Sequence, residues 1–170
     1  METRSFRSKI LNTGNTLEGY GVVFDSTTTV TERGQTFNEC VTRDCQINYP
    51  EDVLACFNHD DSKLLGRMSS GTLRLSRDDH GIKFAIDLPD TPTGNEVRTL
   101  VERGDIQGAS FRFAIRTNGA KWDRSTNTKY LTALDVFEIG PVTLPYYTDT
   151  SLKLRSKSYY VNKLRCLEKS

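Results

Sequence analysis

The stretch Gly108–Ile115 reads Gly-Ala-Ser-Phe-Arg-Phe-Ala-Ile, and apolar side chains recur in it at every second position. Such alternation is typical of a β-strand with one buried face. Ala109, Phe111 and Phe113 would form that face, which places Ser110 on the opposite one. The stretch therefore predicts a strand that carries a serine between small and aromatic neighbours.

The rest of the chain has the same character, since short apolar stretches are separated by Gly, Pro, Asn and Asp. Runs of this length are typical of strands. The polar segments 26–33 and 122–129 are predicted to be loops. The predicted strands are Leu17–Phe24, bulged by its glycines; Asp52–Phe57, buried on both faces; Gly71–Arg77 and Ile82–Leu88, paired in a hairpin; and Tyr130–Leu144, broken at Gly140-Pro141.

One helix is predicted between the hairpin and the Ser110 strand. Thr93 and Glu96 have the spacing of a capping box, Pro92 stands just before them, and Gly104 stands where a helix often ends. Many short strands with one marked helix predict a mostly β fold of the α+β kind, an antiparallel barrel with helices packed on it.

The composition indicates a soluble globular protein of ordinary domain size. Its 170 residues are 36% hydrophobic and 26% charged, which suits a chain with a real core. We expect no membrane association, because the start lacks a signal peptide and no apolar stretch could span a bilayer. A net charge of +1 gives no reason to expect a nucleic-acid partner, although six of the seven charged residues in 152–170 are basic.

Four cysteines, Cys40, Cys45, Cys56 and Cys166, form no C-x-x-C pair, and the chain has only two histidines. We therefore expect no metal site and no cofactor. The cysteines are predicted to be free thiols, as is usual in a reducing cytoplasm, and a Cys40–Cys45 disulfide is the alternative.

The two histidines differ in their sequence surroundings. His59 directly follows an apolar strand in a polar turn, where its imidazole could reach a cleft and transfer protons near neutral pH. A surface loop histidine is the alternative for His59. His80 lies in a hairpin turn with no apolar element leading to it, so we interpret it as a surface residue.

Ser110 has the small neighbours Gly108 and Ala109, which would let a substrate backbone approach its hydroxyl. A nucleophilic serine also needs a base and donors for the oxyanion. Serines on strands are common, and this one is not in the Gly-x-Ser-x-Gly elbow. Cys56 with His59 is another possible pair, but a thiol inside an apolar strand is usually inert.

A carboxylate should hold the imidazole of a catalytic histidine. Asp135 and Glu138 both lie on the last predicted strand, and on a regular strand they would face opposite ways, so only one could serve. Glu138 lies in an apolar stretch, where a charge must be paired. Its alternative role is a structural ion pair with Arg67 or Arg112.

Several segments, taken in their order and spacing between Leu17 and Arg155, resemble the prohead maturation proteases of tailed bacteriophages. Each segment is unremarkable alone, whereas the ordered set is specific. The segments are Glu18–Tyr20 with Val23–Asp25, Phe57–Asp60 followed by Leu65–Arg67, Leu88–Gly94, Gly108–Phe113, and Phe137–Tyr147.

The resemblance implies a serine endopeptidase whose fold is similar to the herpesvirus assemblins, a barrel of about seven strands ringed by helices. The resemblance implies that Ser110 is the nucleophile, His59 the base and Glu138 the acid. Asp135 is the alternative acid. The implied substrates are scaffold and capsid precursors, and the protease itself, inside the immature capsid in the host cytoplasm. Homo-oligomerisation stays open.

The expected organisation is a protease domain at 1–155 followed by a basic tail or helix at 156–170. The chain departs from the family pattern at two positions. Arg112 stands where the family often has glycine, so it could narrow the cleft or supply charge to a substrate. Gly140 stands where the family often has serine. Residues 37–46 match poorly.

Two alternatives come from other functional classes. A non-catalytic capsid-assembly module would keep the fold but lack a contact between His59 and Ser110. A nucleic-acid-binding barrel would use the basic tail and the aromatic residues Trp122, Tyr159 and Tyr160, and would need a basic groove.

Overall fold

The computed structural model describes residues 1–6, 11–12 and 15–144, and this part of the chain is mostly β. It contains twelve strands, one α-helix and one 3-10 turn. The strands are β1 (Glu2–Phe6), β2 (Leu11–Asn12), β3 (Thr16–Val23), β4 (Thr27–Glu32), β5 (Gln35–Asn48), β6 (Leu54–Cys56), β7 (Leu64–Arg67), β8 (Leu73–Arg77), β9 (Gly81–Asp87), β10 (Gly108–Ile115), β11 (Ala120–Asp123) and β12 (Thr128–Val142). The helix α1 is Pro92–Arg103, and the 3-10 turn is Phe57–His59.

The strands form two hydrogen-bonded sheets. The larger sheet has the order β1-β10-β12-β5-β4, with β11 also paired to β12 and with β6 joining β12 to β7. It curls into half a barrel. The smaller sheet has the order β2-β3-β9-β8. Because β12 is 15 residues long, it can pair with two successive strands along each of its edges.

Most strand pairs are antiparallel, as predicted, but β12 runs parallel to β5 and to β6. Alternation of apolar residues shows which face of a strand is buried, but it carries no information about strand direction. A single ring of about seven strands does not describe these two sheets. One α-helix, and not several, accompanies them in the described residues.

Several predicted elements are confirmed. The hairpin is present as β8 and β9, and β3 has a register shift next to Gly21. The predicted strand at 52–57 is shorter, as β6, and Gly140-Pro141 does not interrupt β12.

The predicted loop at 26–33 was wrong, because it is mostly β4. Only Val30 is buried in that strand, so its sequence shows no apolar period.

The helix α1 begins two positions earlier than the predicted capping box allows. The Thr91 side chain accepts a hydrogen bond of 3.2 Å from the N–H of Gly94, so Thr91 is the N-cap. Pro92 then takes the first helical position, which its fixed φ favours, and Thr93 lies inside the helix. The end at Gly104 is confirmed, since its φ of 81° is left-handed.

The core fixes the orientation of β10. Ala109, Phe111 and Phe113 are fully buried, and the rings of the two phenylalanines stack with centroids 4.8 Å apart. Full burial of a phenylalanine side chain stabilises a fold by about 1.5–3 kcal/mol. A one-residue slip of β10 would lose this contribution, so the alternate positions, including Ser110, are held on the other face.

Candidate active site

Ser110 lies in the middle of β10, between β1 and β12. Its register partners are Ser5 in β1 and Gly140 in β12. The sequence predicts an accessible hydroxyl, whereas Ser110 is fully buried in the structure because β1 covers that edge of β10. The Ser110 hydroxyl donates a hydrogen bond of 2.8 Å to the backbone carbonyl of Arg4 in β1.

His59 ends the 3-10 turn that follows β6. Both Asn58 and His59 have left-handed backbone conformations, with φ of 56° and 59°. Such conformations cost about 1–3 kcal/mol each for a residue other than glycine, so the surroundings must hold the turn. Asn58 Oδ1 does so by accepting a hydrogen bond of 2.9 Å from the N–H of Thr143, just beyond β12.

Gly140 allows the turn to approach the serine strand. A Cβ atom at this position would lie 2.1 Å from the carbonyl oxygen of Cys56, the last residue of β6. Because Gly140 is also the register partner of Ser110, the missing side chain lets β6 and its turn lie directly beside the serine. At this position the family pattern often has serine.

The three side chains predicted as nucleophile, base and acid form one continuous chain of contacts. Ser110 Oγ lies 2.6 Å from His59 Nε2, and His59 Nδ1 lies 3.0 Å from Glu138 Oε1. Glu138 is only 2% exposed, whereas the His59 side chain is 20% exposed. The arrangement can pass a proton from the hydroxyl to an imidazole whose other nitrogen is held by a carboxylate.

Asp135 does not reach this cluster. Its carboxylate accepts a hydrogen bond of 3.1 Å from Asn48 and lies 3.7 Å from Arg116. The expectation that Asp135 and Glu138 face opposite ways was wrong, because β12 is not regular. Its register with β10 shifts between them, which pairs Glu138 with Arg112 and Asp135 with Ala114, two residues on the same face.

Arg112 binds the cluster itself. Its Nε lies 2.5 Å from Glu138 Oε2, so the ion pair between these residues that the sequence allows is present. The same guanidinium donates a hydrogen bond to the backbone carbonyl of His59 and contacts Asp61 at 3.1 Å. Arg112 therefore holds both Glu138 and the backbone of His59, an arrangement that the sequence did not reveal. Arg67 pairs instead with Asp52, at 3.4 Å.

The alternative nucleophile Cys56 is a buried thiol. Burial, followed by the nearby charge of Glu138, raises its pKa to about 12, so the thiolate form is disfavoured. Cys40, Cys45 and Cys56 are free and buried, and Cys166 lies outside the described residues. His80 is exposed in its turn, where its ring packs edge-on against Tyr20.

Comparison with family models decides the relationship of the chain to known proteins. A model described as caudovirus prohead serine protease matches residues 2–163. The chain belongs to this family. Prohead proteases of this kind are serine peptidases of capsid maturation, and the family supports that role here. No curated protein and no solved structure matches the chain.

The matched range includes the whole candidate site and reaches eight residues into the segment expected to be a tail. Residues 156–170, including Tyr159 and Tyr160 of the nucleic-acid alternative, lie outside the described part of the structure. Trp122 is half exposed, and its ring packs edge-on against Phe37. No helix in the described ranges has the length and apolar character needed to cross a bilayer.

Proposed function

We propose that this prohead protease is an endopeptidase in which Ser110 is the nucleophile, His59 the general base and Glu138 the acid that orients His59. The observation that supports this most directly is the unbroken chain of contacts from Ser110 Oγ through both imidazole nitrogens to Glu138. These residues lie far apart in sequence and on three different elements, so a chance arrangement of hydrogen bonds is a poor explanation.

The reaction is acyl transfer. His59 Nε2 takes the hydroxyl proton as Ser110 Oγ forms a bond to the scissile carbonyl carbon. His59 then gives that proton to the leaving amine, the C–N bond breaks, and an acyl-serine is left. A water molecule attacks the acyl carbon and gives a proton to His59, which returns it to Ser110 as the acid product leaves.

Glu138 stabilises the imidazolium that forms in each half of this reaction. We assign the oxyanion to backbone N–H groups beside Ser110 and in a neighbouring loop. Loss of one such donor typically costs about 3 kcal/mol of transition-state stabilisation.

The proposed substrates are scaffold and major capsid precursors, together with the protease itself, inside the immature capsid in the bacterial host. Family membership supports this assignment. The likeness of the curled sheet to the assemblin barrel stays a prediction. No cofactor is needed by this chemistry.

The test is co-expression with the capsid or scaffold precursor. Ser110→Ala should abolish precursor cleavage while the protein stays folded, because the change removes a single hydroxyl. Ser76→Ala, at an exposed serine of β8, is the matched control and should process normally. Full processing by the Ser110→Ala protein would instead favour a non-catalytic capsid-assembly module, with cleavage performed by another protein.

A further inference from the structure

The strand β1 covers one edge of β10, the strand that carries Ser110. It pairs antiparallel with β10 over five residues, from Glu2 opposite Phe113 to Phe6 opposite Ala109. Within the described residues, β1 ends the sheet order and has no second strand partner. On the side of β4, a cavity of about 210 Å³ borders Thr3 and Arg4. A single backbone ladder therefore joins β1 to the sheet in the described residues.

The backbone of Arg4 lies at the nucleophile. Its carbonyl oxygen is 2.8 Å from Ser110 Oγ. In a bound substrate, the residue whose carbonyl lies at the serine is the one before the scissile bond. Arg4 therefore occupies the position from which the principal specificity of a serine protease is set.

A buried acid receives the Arg4 side chain. Glu39, in β5, is 1% exposed, and both of its carboxylate oxygens bind the guanidinium, through Nε and through Nη2 at 3.0 Å. Such a bidentate contact, in which the two carboxylate oxygens bind two guanidinium nitrogens, is the geometry by which a carboxylate selects arginine. Lys129 Nζ lies 3.4 Å from Glu39, so Glu39 would keep a cation nearby if the arginine left.

We propose that the edge of β10 now covered by β1 is the substrate-binding surface, and that Glu39 selects arginine before the scissile bond. This inference rests on the proposed function. The substrate is an extended peptide that adds to β10 as a strand, a common mode of peptide recognition. In the structure, β1 occupies that surface as a blocking strand.

β1 blocks the reaction because it accepts the only proton that the Ser110 hydroxyl can donate. The hydroxyl has one proton, and in this arrangement the carbonyl of Arg4 accepts it. While that bond persists, the hydroxyl cannot donate to His59 Nε2, which is the first step of the reaction. β1 must therefore leave before a substrate can be cleaved.

The first test measures access to Ser110 by the rate of labelling with a fluorophosphonate. Arg4→Ala removes the anchor of β1 and should accelerate labelling about tenfold or more, since a lost charged contact is worth about 1.5–3 kcal/mol. Glu2→Gln weakens a second contact of β1 with the sheet, because Glu2 lies 3.7 Å from Lys129 of β12, and should accelerate labelling less. Ser76→Ala should leave the rate unchanged.

Hydrogen exchange of the β10 amides in the same variants shows whether β1 still covers β10, and it does not depend on catalytic activity. Faster exchange over 108–115 should accompany faster labelling. Unchanged or slower labelling in a folded Arg4→Ala protein would overturn the blocking role. If Arg4→Ala does not fold, the same comparison is made with Glu2→Gln, and its outcome decides.

The second test measures specificity with peptides that differ only in the residue before the scissile bond. Arginine should be preferred over glutamate by about 30-fold or more, the lower end of the effect expected for a buried charge pair. Glu39→Gln should remove most of the preference. The double variant Arg4→Glu with Glu39→Arg keeps an ion pair between positions 4 and 39 with the two charges exchanged. It should cleave glutamate peptides in preference to arginine peptides.

The outcomes separate this inference from the function on which it rests. If Ser110 labels but arginine and glutamate peptides are cleaved equally, the specificity role of Glu39 is wrong and the protease remains. If Ser110 labels in no variant, including those in which hydrogen exchange shows β10 uncovered, the proposed function itself is wrong.

Discussion

Arg112 and Glu138 face each other across β10 and β12, with Arg112 Nε 2.5 Å from Glu138 Oε2. The other carboxylate oxygen of Glu138 is the one that contacts His59. A single guanidinium thus fixes the orientation of Glu138, and through the His59 carbonyl it also fixes the turn that carries His59.

Replacing Arg112 should therefore slow the chemical step more than it weakens substrate binding. We expect Arg112→Met to lower kcat by about 10- to 100-fold with a smaller change in KM, because the acid and the turn lose their shared contact. Arg112→Lys should restore part of the loss. The measurement is peptide hydrolysis, with Arg116→Ala as the control, since Arg116 pairs with Asp135 and not with the cluster. Equal losses in the two variants would contradict the positioning role.

The two carboxylates of β12 should differ sharply on substitution. We expect Glu138→Gln to lower kcat by about 10³- to 10⁴-fold, because an amide can hold the wrong tautomer of His59 and cannot stabilise its charge. Asp135→Asn should have little effect, since in the described part of the chain Asp135 contacts Asn48 and Arg116 and not His59. The reverse order of effects in a peptide-cleavage assay would show that Asp135 is the acid.

Gly140 should tolerate no side chain. We expect Gly140→Ser to destabilise the fold by about 1–3 kcal/mol, the usual cost of overpacking, because its Cβ would meet the Cys56 carbonyl. Activity should fall as well, since the His59 turn would be pushed from Ser110. Urea unfolding and peptide hydrolysis measure the two effects. Ala114→Ser adds the same hydroxyl to a half-buried position of β10 and should be mild; normal stability of Gly140→Ser would refute the close-approach argument.

The pair Tyr20–Asp78 should make stability depend on pH. The Tyr20 hydroxyl donates a hydrogen bond of 2.5 Å to Asp78, which raises the pKa of Tyr20 to about 12 and lowers that of Asp78 below its ordinary value of 3.8. The Asp78 contribution is present above pH 3.8 and is lost as the pH falls through the lowered pKa. The Tyr20 contribution is present below pH 10 and is lost as the pH rises through about 12.

Tyr20→Phe should therefore lower Tm at pH 7, and the difference from the unmodified protein should shrink towards pH 3. Thermal melting across this range measures it. Tyr130→Phe, at a half-buried tyrosine of β12, is the control and should show a difference that is independent of pH. A constant deficit for Tyr20→Phe would mean that the hydrogen bond to ionised Asp78 is not its cause.

Local physical chemistry made much of the fold readable from the sequence. The period of two in β10 placed Ser110 opposite the core, and the turn residues between β8 and β9 marked the hairpin. Gly104 marked the end of α1 because only a residue that accepts a left-handed backbone can end a helix in that way. These features depend on residues a few positions apart, so they can be read from the sequence around them.

The contacts that define the candidate site were decided by tertiary structure. His59 lies 51 residues from Ser110 and 79 from Glu138, and resemblance to a family suggested this grouping where periodicity could not. The shift in β12 changed the face on which Asp135 lies, because a bulge depends on the partner strand as much as on its own sequence. The contact of Arg4 with Ser110 depends on β1 adding to an open edge of β10. Alternation within a strand specifies which side chains are buried, whereas only the folded sheet specifies which backbone lies beside them.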